Sequence, residues 1–307
     1  MARTRHGAWR RAAVPLAFVL VFSWIAGGSY LALEHYGSPE RSGTCTASGL
    51  GTTHRYRSDQ TANAALISAV AVDRDLPPRA ASIALATAYQ ESQLRNIDHG
   101  DRDSLGLFQQ RPSQGWGTAQ EIMDPIHAAN AFYDRLVQIE GYESGDINAI
   151  AQRVQRSGVP EGYRDHETEG RLFASALTGM SGPNLTCSLP SVHTTVSPEA
   201  VRGELSRQFP RSTEAGRITT QLQRTARVAP EAPRAAGPTA LTIEVDQQQL
   251  GWAIANWSVA RAASDGIVQV RYAGRVWDRS TRGQDAATWS EAAGGEADQV
   301  VILLAGS

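Results

Sequence analysis

The sequence predicts a mainly α central domain, preceded by one transmembrane helix and followed by a linker and a small α+β C-terminal module. Three observations predict it: a charge-free apolar run behind an arginine cluster at the N-terminus, helix-period segments with start and stop signals through the middle, and a last segment that mixes one helix with strand-like runs.

Arg3, Arg5, Arg10 and Arg11 precede Ala12 to Leu33, a stretch without a charged side chain that Glu34 ends. Such a run spans a hydrocarbon core of about 30 Å as a helix, and the flanking arginines place its N-terminal side in the cytoplasm. The expectation is a cell-membrane protein anchored through residues 12–33, residues 1–11 cytoplasmic and the main domains outside. The alternative is secretion after signal cleavage near Ala26-Gly27-Gly28. A single span without an intramembrane charge offers no transport path.

The chain has 307 residues, 41% hydrophobic and 20% charged, with a net charge of −2. That balance is globular and carries no electrostatic footprint for nucleic acid. Every basic side chain except histidine is arginine. Two cysteines, Cys45 and Cys187, bracket the central region; in an oxidising compartment they would form a disulfide, and otherwise they are free thiols. Neither a CxxC nor an HxxxH spacing occurs, and the loop after residue 96 lacks the spaced oxygens of a calcium loop, so no metal and no cofactor are expected.

Residues 34–58, rich in Gly, Ser and Thr, read as a stalk. Helical patterning then begins over Thr61–Val72, breaks at Pro77-Pro78 and resumes from Arg79 to Leu94. Residues 96–118 form a polar loop or small hairpin. Asp124-Pro125 supplies an N-cap and first-turn proline for a helix to Ile139, and Asp146 caps another through Val154. The central domain is thus placed at 59–187. Residues 188–240 read as a linker with one short helix near Pro198–Phe209, and 241–307 as the C-terminal module, with a helix over 247–263 and strands over 267–272 and 299–304. Its Trp252, Trp257, Trp277 and Trp289 serve either a ligand surface or, more commonly in so short a module, a core.

The second helix carries the chemistry. On a helical wheel Ala80, Ala84, Thr87 and Ala88 share a face with Glu91. A carboxyl on that small apolar face has its ionised form disfavoured, as a general acid requires, while the Thr87 hydroxyl could offset part of the desolvation. The other reading is a carboxylate at a frayed helix end that reaches water.

Glu91-Ser92 leads, through His99-Gly100-Asp101-Arg102-Asp103, into Gly106-Leu107-Phe108-Gln109. This order resembles the lysozyme superfamily, in particular the soluble lytic transglycosylases and, in its Gly-Asp-Arg stretch, the goose-type lysozymes, over residues 60–170. The resemblance implies a lysozyme-like domain in which Glu91 is the catalytic acid, Ser92 and Gln109 position sugar or backbone, and Asp101 holds an attacking water. It further implies Asn130 and Tyr133, with Phe132, as cleft residues, and Tyr163 as the aromatic surviving from a Tyr-Asn-x-Gly motif. The second carboxylate that goose-type enzymes carry after the Gln is absent, since Gln110-Arg111-Pro112 fills that stretch. Trp116, in the loop over the implied cleft, either stacks on a sugar ring or packs the loop, and Asp103 reads as a turn cap. The implied partner is the peptidoglycan glycan strand, cleaved between N-acetylmuramic acid and N-acetylglucosamine by transglycosylation or hydrolysis. The competing class is a non-catalytic wall-binding or scaffolding protein of the same fold; no protein partner is legible.

Overall fold

A computed structural model describes residues 43–49, 51–156, 161–192, 196–224, 239–280, 288–292 and 297–305. Strands β1 (Thr44–Gly49) and β2 (Thr52–Arg57) form a hairpin ahead of helices α1 (Ser58–Asp73) and α2 (Pro78–Ser92). After a long loop come α3 (Ala119–Met123), α4 (Pro125–Leu136), α5 (Ile147–Gln155), α6 (Glu167–Leu177) and strand β3 (Leu185–Ser188). The C-terminal part runs α7 (Pro198–Gln208), α8 (Pro210–Glu214), β4 (Ile218–Arg224), β5 (Thr239–Val245), α9 (Gln248–Ala260), α10 (Ala262–Asp265), β6 (Ile267–Tyr272), β7 (Arg275–Asp278), β8 (Ser290–Glu291) and β9 (Gln299–Leu304).

The mainly α expectation is corrected. The described strands make two antiparallel sheets, β2-β1-β3 and β4-β5-β9-β6-β7-β8. The expected stalk supplies β1 and β2, whose Thr-rich composition hides an inward set of Cys45, Ala47 and Tyr56. The expected linker supplies α7, α8 and β4. The single-pass membrane placement does not stand either: no helix among the described residues is long and apolar enough to cross a membrane, and the run at 12–33 lies outside the described residues.

Cys45 and Cys187 lie opposite one another where β1 pairs with β3 and are joined by a disulfide across 142 residues. The bond therefore closes the helical region at the sheet that begins and ends it. Asp124 and Asp146 cap α4 and α5 as their side chains imply, accepting from the Ile126 and Ala149 amides at 2.9 Å each.

Residues 43–305 belong to one compact unit with one apolar core. Helix α9 packs on α1, and all four tryptophans of the last segment are buried. The Trp257 indole donates to Gln208 at 2.7 Å, the Trp289 indole to the Leu185 carbonyl at 2.8 Å, and Trp252 meets Trp289 and Tyr272 edge to face. Asn256 of α9 donates to the carbonyls of Ala176 and Gly182 at 2.8 Å each. Buried Asp73, at the end of α1, accepts from the Ser212 and Arg211 amides at 2.8 and 3.2 Å, satisfying first-turn donors of α8 from across the fold.

Candidate active site

The site is built on the end of α2. Two successive residues past the helix, Gln93 and Leu94, hold left-handed backbone conformations at φ 54° and 56°. Non-glycine residues enter that region at a cost. Here the Leu94 and Gln93 amides bond back to the carbonyls of Ala88 and Tyr89, while Asn63 and Gln60 of α1 donate to the Leu94 and Gln93 carbonyls at 2.7 and 2.9 Å. The helix therefore stops at Ser92, leaving Glu91 in its last turn. The body of α2 lies tightly against α6: a Cβ on Gly170 would come within 3.0 Å of the Ser82 carbonyl, so glycine permits the approach.

Ser92 ties the helix end to the loop. Its hydroxyl lies 2.7 Å from the Leu107 carbonyl and 3.1 Å from that of Ala88, and accepts from the Arg95 amide. Leu105 and Gln110 pair as an isolated antiparallel bridge, closing Gly106-Leu107-Phe108-Gln109 into a tight turn. Gly106 has φ 74°, and a Cβ there would meet the Ile122 carbonyl at 2.8 Å. Buried Leu107 and Phe108 anchor the turn, Phe108 stacking on Phe132 of α4 with centroids 4.7 Å apart. Gln109, at φ 47°, donates from its side chain to the His99 and Gly106 carbonyls at 3.3 Å each, stapling the two limbs of the loop.

Glu91 faces this turn. The Tyr163 hydroxyl donates to its Oε1 at 2.7 Å, and the Gln155 amide, at the end of α5, donates to the same oxygen at 3.3 Å and to the Phe108 carbonyl at 2.7 Å. Tyr163 is itself buried, and its amide donates to Asn148 at 3.1 Å. Burial pushes the Glu91 carboxyl above its ordinary range, and the Tyr163 and Gln155 hydrogen bonds offset part of that. Thr87 takes no share, because its hydroxyl donates to the Ile83 carbonyl one turn back, at 2.7 Å.

The other residues singled out from the sequence occupy different surroundings. The Asp101 side chain is 90% exposed, with Arg102 3.9 Å away. Asp103 caps a turn, accepting from the Ser113 amide at 2.9 Å and from Arg111 at 2.7 Å, and those bonds hold its carboxyl well below the usual range. Trp116 is 4% exposed and lies under the Arg135 guanidinium, 3.3 Å from its centroid, so loop packing accounts for its position. Asn130 accepts from Arg74 at 3.0 Å and donates back along its own helix to Ile126. Tyr133 is a core residue whose hydroxyl donates to the Ile67 carbonyl at 3.0 Å.

No family model matches this chain, and no curated protein is significantly similar to it.

Sequence reasoning missed Gln155. Its signal was available: it lies one turn beyond Ala151, prolonging the buried stripe of Ile147, Ile150, Ala151 and Val154 with a polar side chain. The described residues contain no cluster of three or more His, Cys, Asp or Glu arranged to hold a metal ion.

Proposed function

We propose that this chain is a peptidoglycan-cleaving enzyme of lysozyme-like type, with Glu91 as its general acid and base. The observation that carries the reading is the Glu91 carboxyl itself, pushed above the ordinary carboxylate range by burial and oriented by the Tyr163 hydroxyl, which donates to it at 2.7 Å. The resemblance of Glu91-Ser92 and Gly106-Leu107-Phe108-Gln109 to lytic transglycosylases names the substrate class. The reacting bond joins N-acetylmuramic acid to N-acetylglucosamine.

Protonated Glu91 donates to the glycosidic oxygen as the bond to the anomeric carbon breaks. The resulting carboxylate is stabilised by the donors on its Oε1. The sugar cation is then captured by its own 6-hydroxyl, whose proton returns to Glu91, leaving a 1,6-anhydro end without net use of water. Transglycosylation is favoured over hydrolysis because Gln110-Arg111-Pro112 stands where goose-type enzymes carry a second carboxylate, whereas hydrolysing glycosidases commonly use two carboxyl groups.

Mass spectrometry of products from the full chain incubated with purified peptidoglycan tests this. Anhydro-muropeptides are expected. Reducing-end products would replace transglycosylation by hydrolysis, and no release from folded, oxidised protein would overturn the catalytic reading in favour of a wall-binding one.

A further inference from the structure

Helix α5 reaches the acid by two routes, and the proposed chemistry uses one of them. Gln155, in its last turn, donates to Glu91 and to the Phe108 carbonyl. Asn148, two turns earlier on the same stripe of the helix, is 4% exposed, and its Oδ1 accepts from the Tyr163 amide at 3.1 Å. A backbone N–H can only donate, so this bond fixes which end of the Asn148 amide is the oxygen. The Phe108 carbonyl, which can only accept, fixes Gln155 in the same way.

Asn148 is the second residue of α5, and the helix is already capped by Asp146, which accepts from the Ala149 amide at 2.9 Å. The Asn148 oxygen instead serves a residue fifteen positions further along the chain. Burying an amide costs free energy that such a bond offsets. Tyr163 is 1% exposed and carries its hydroxyl at the far end of a rigid ring. Its amide is held by Asn148, and its carbonyl accepts from the His166 amide at 3.2 Å in the 3-10 turn Arg164–His166. That turn is local and moves with Tyr163, whereas the Asn148 bond ties Tyr163 to the helix that also holds Glu91 through Gln155. A displacement of the Tyr163 backbone is carried along the ring to the hydroxyl, and about 1 Å of misplacement is enough to cost turnover about 10²-fold.

We infer that Asn148 is a positioning residue of the site, fixing the Tyr163 backbone to α5 so that the phenol stays on Glu91 Oε1. With Gln155 it makes one helix the template for both described donors to that oxygen. The inference rests on Glu91 being the acid of the proposed reaction and names a residue that acts on it through Tyr163.

The test is a double-mutant cycle on the full chain, with Asn148→Ala and Tyr163→Phe made singly and together. Carbon-13 at the glutamate carboxyls reads the pH midpoint of the Glu91 resonance. Tyr163→Phe removes a donor that favours the carboxylate while keeping the amide that Asn148 holds, so it is expected to raise that midpoint. Asn148→Ala is expected to raise it in the same direction, and to add nothing in the Tyr163→Phe background, where the hydroxyl it positions is gone. A midpoint unmoved by Asn148→Ala would overturn the inference, and so would an equal further rise in the double variant, which is what loosened packing gives. Turnover on purified peptidoglycan is read beside it: Asn148→Ala should lower kcat by about 10- to 100-fold with KM nearly unchanged. A loss confined to KM would also count against it. Should Asn148→Ala fail to fold, Asn148→Ser, whose hydroxyl falls one bond short of the Asn148 oxygen, is carried through the same cycle. Non-additive midpoints in a chain that releases no sugar product would overturn the glycan-cleaving reading alone; a chain that cleaves glycan with additive midpoints would overturn the Asn148 inference alone.

Discussion

Glu91 sits where a carboxylate is least comfortable, and its consequences for activity and for stability have opposite signs. Its folded-state affinity for a proton is raised by burial, so the native chain holds that proton where the unfolded chain has released it. Stability from this group is fully present below the unfolded value of 4.5 and is lost as pH rises through the higher folded value. Glu91→Gln is therefore expected to abolish product release and to raise the melting temperature at pH near 7, with the two chains converging in acid. Calorimetry at both pH values checks it; equal melting temperatures at neutral pH would remove the desolvation argument. Tyr163→Phe deletes a donor that favours the carboxylate, so the alkaline limb of the pH-rate profile should move to higher pH, with a lower maximal rate because the charged intermediate loses its strongest hydrogen bond. An unmoved limb would show that Tyr163 does not bear on the acid.

At the scale of elements, the decisive piece is the turn from Leu105 to Gln110. It brings the Leu107 and Phe108 carbonyls to Ser92 and Gln155, and through them sets where α2 ends relative to α5. Gly106 carries it, since a side chain there meets both a left-handed backbone and the Ile122 carbonyl. Gly106→Ala should destabilise the chain by about 1–3 kcal/mol, read from denaturant unfolding. Gln155→Leu keeps the volume and removes both donors; it is expected to cost far more in turnover than in stability. Comparable losses in both would make Gln155 a packing residue. Helix boundaries were legible because proline and Asx capping act locally: Asp124-Pro125 and Asp146 start α4 and α5 where their chemistry says. The hairpin β1-β2 was not, because its strands are polar and Thr-rich and its inner strand β1 is completed by pairing with β3, contributed by residues far along the chain.

For the whole molecule, the C-terminal sheet and α9 complete the core that α1 begins, and the central domain is bonded to the expected module through Asn256 to Ala176 and Gly182 and to the expected linker through Ser212 to Asp73. A chain ending at residue 192 should fail to unfold cooperatively and should expose apolar surface to a hydrophobic dye, whereas the full chain melts in one transition. A cooperative melt of the truncated chain would show that residues 43–192 fold alone. Reducing the Cys45–Cys187 disulfide, which closes a long loop, is expected to cost about 2–5 kcal/mol.

The sequence by itself determined α1, α2, α4 and α5 of the central region, the strands at 267–272 and 299–304, the pairing available to its two cysteines, and Glu91 on an apolar helix face. These follow from periodicity, capping and count, which need only near neighbours. The tertiary structure alone decided that one core spans both halves, that Trp116 and Tyr133 are packing residues, and that Gln155 and Tyr163 meet at Glu91. Those residues come from separate elements, and their meeting depends on how α2, α5 and α6 pack. No local pattern encodes that.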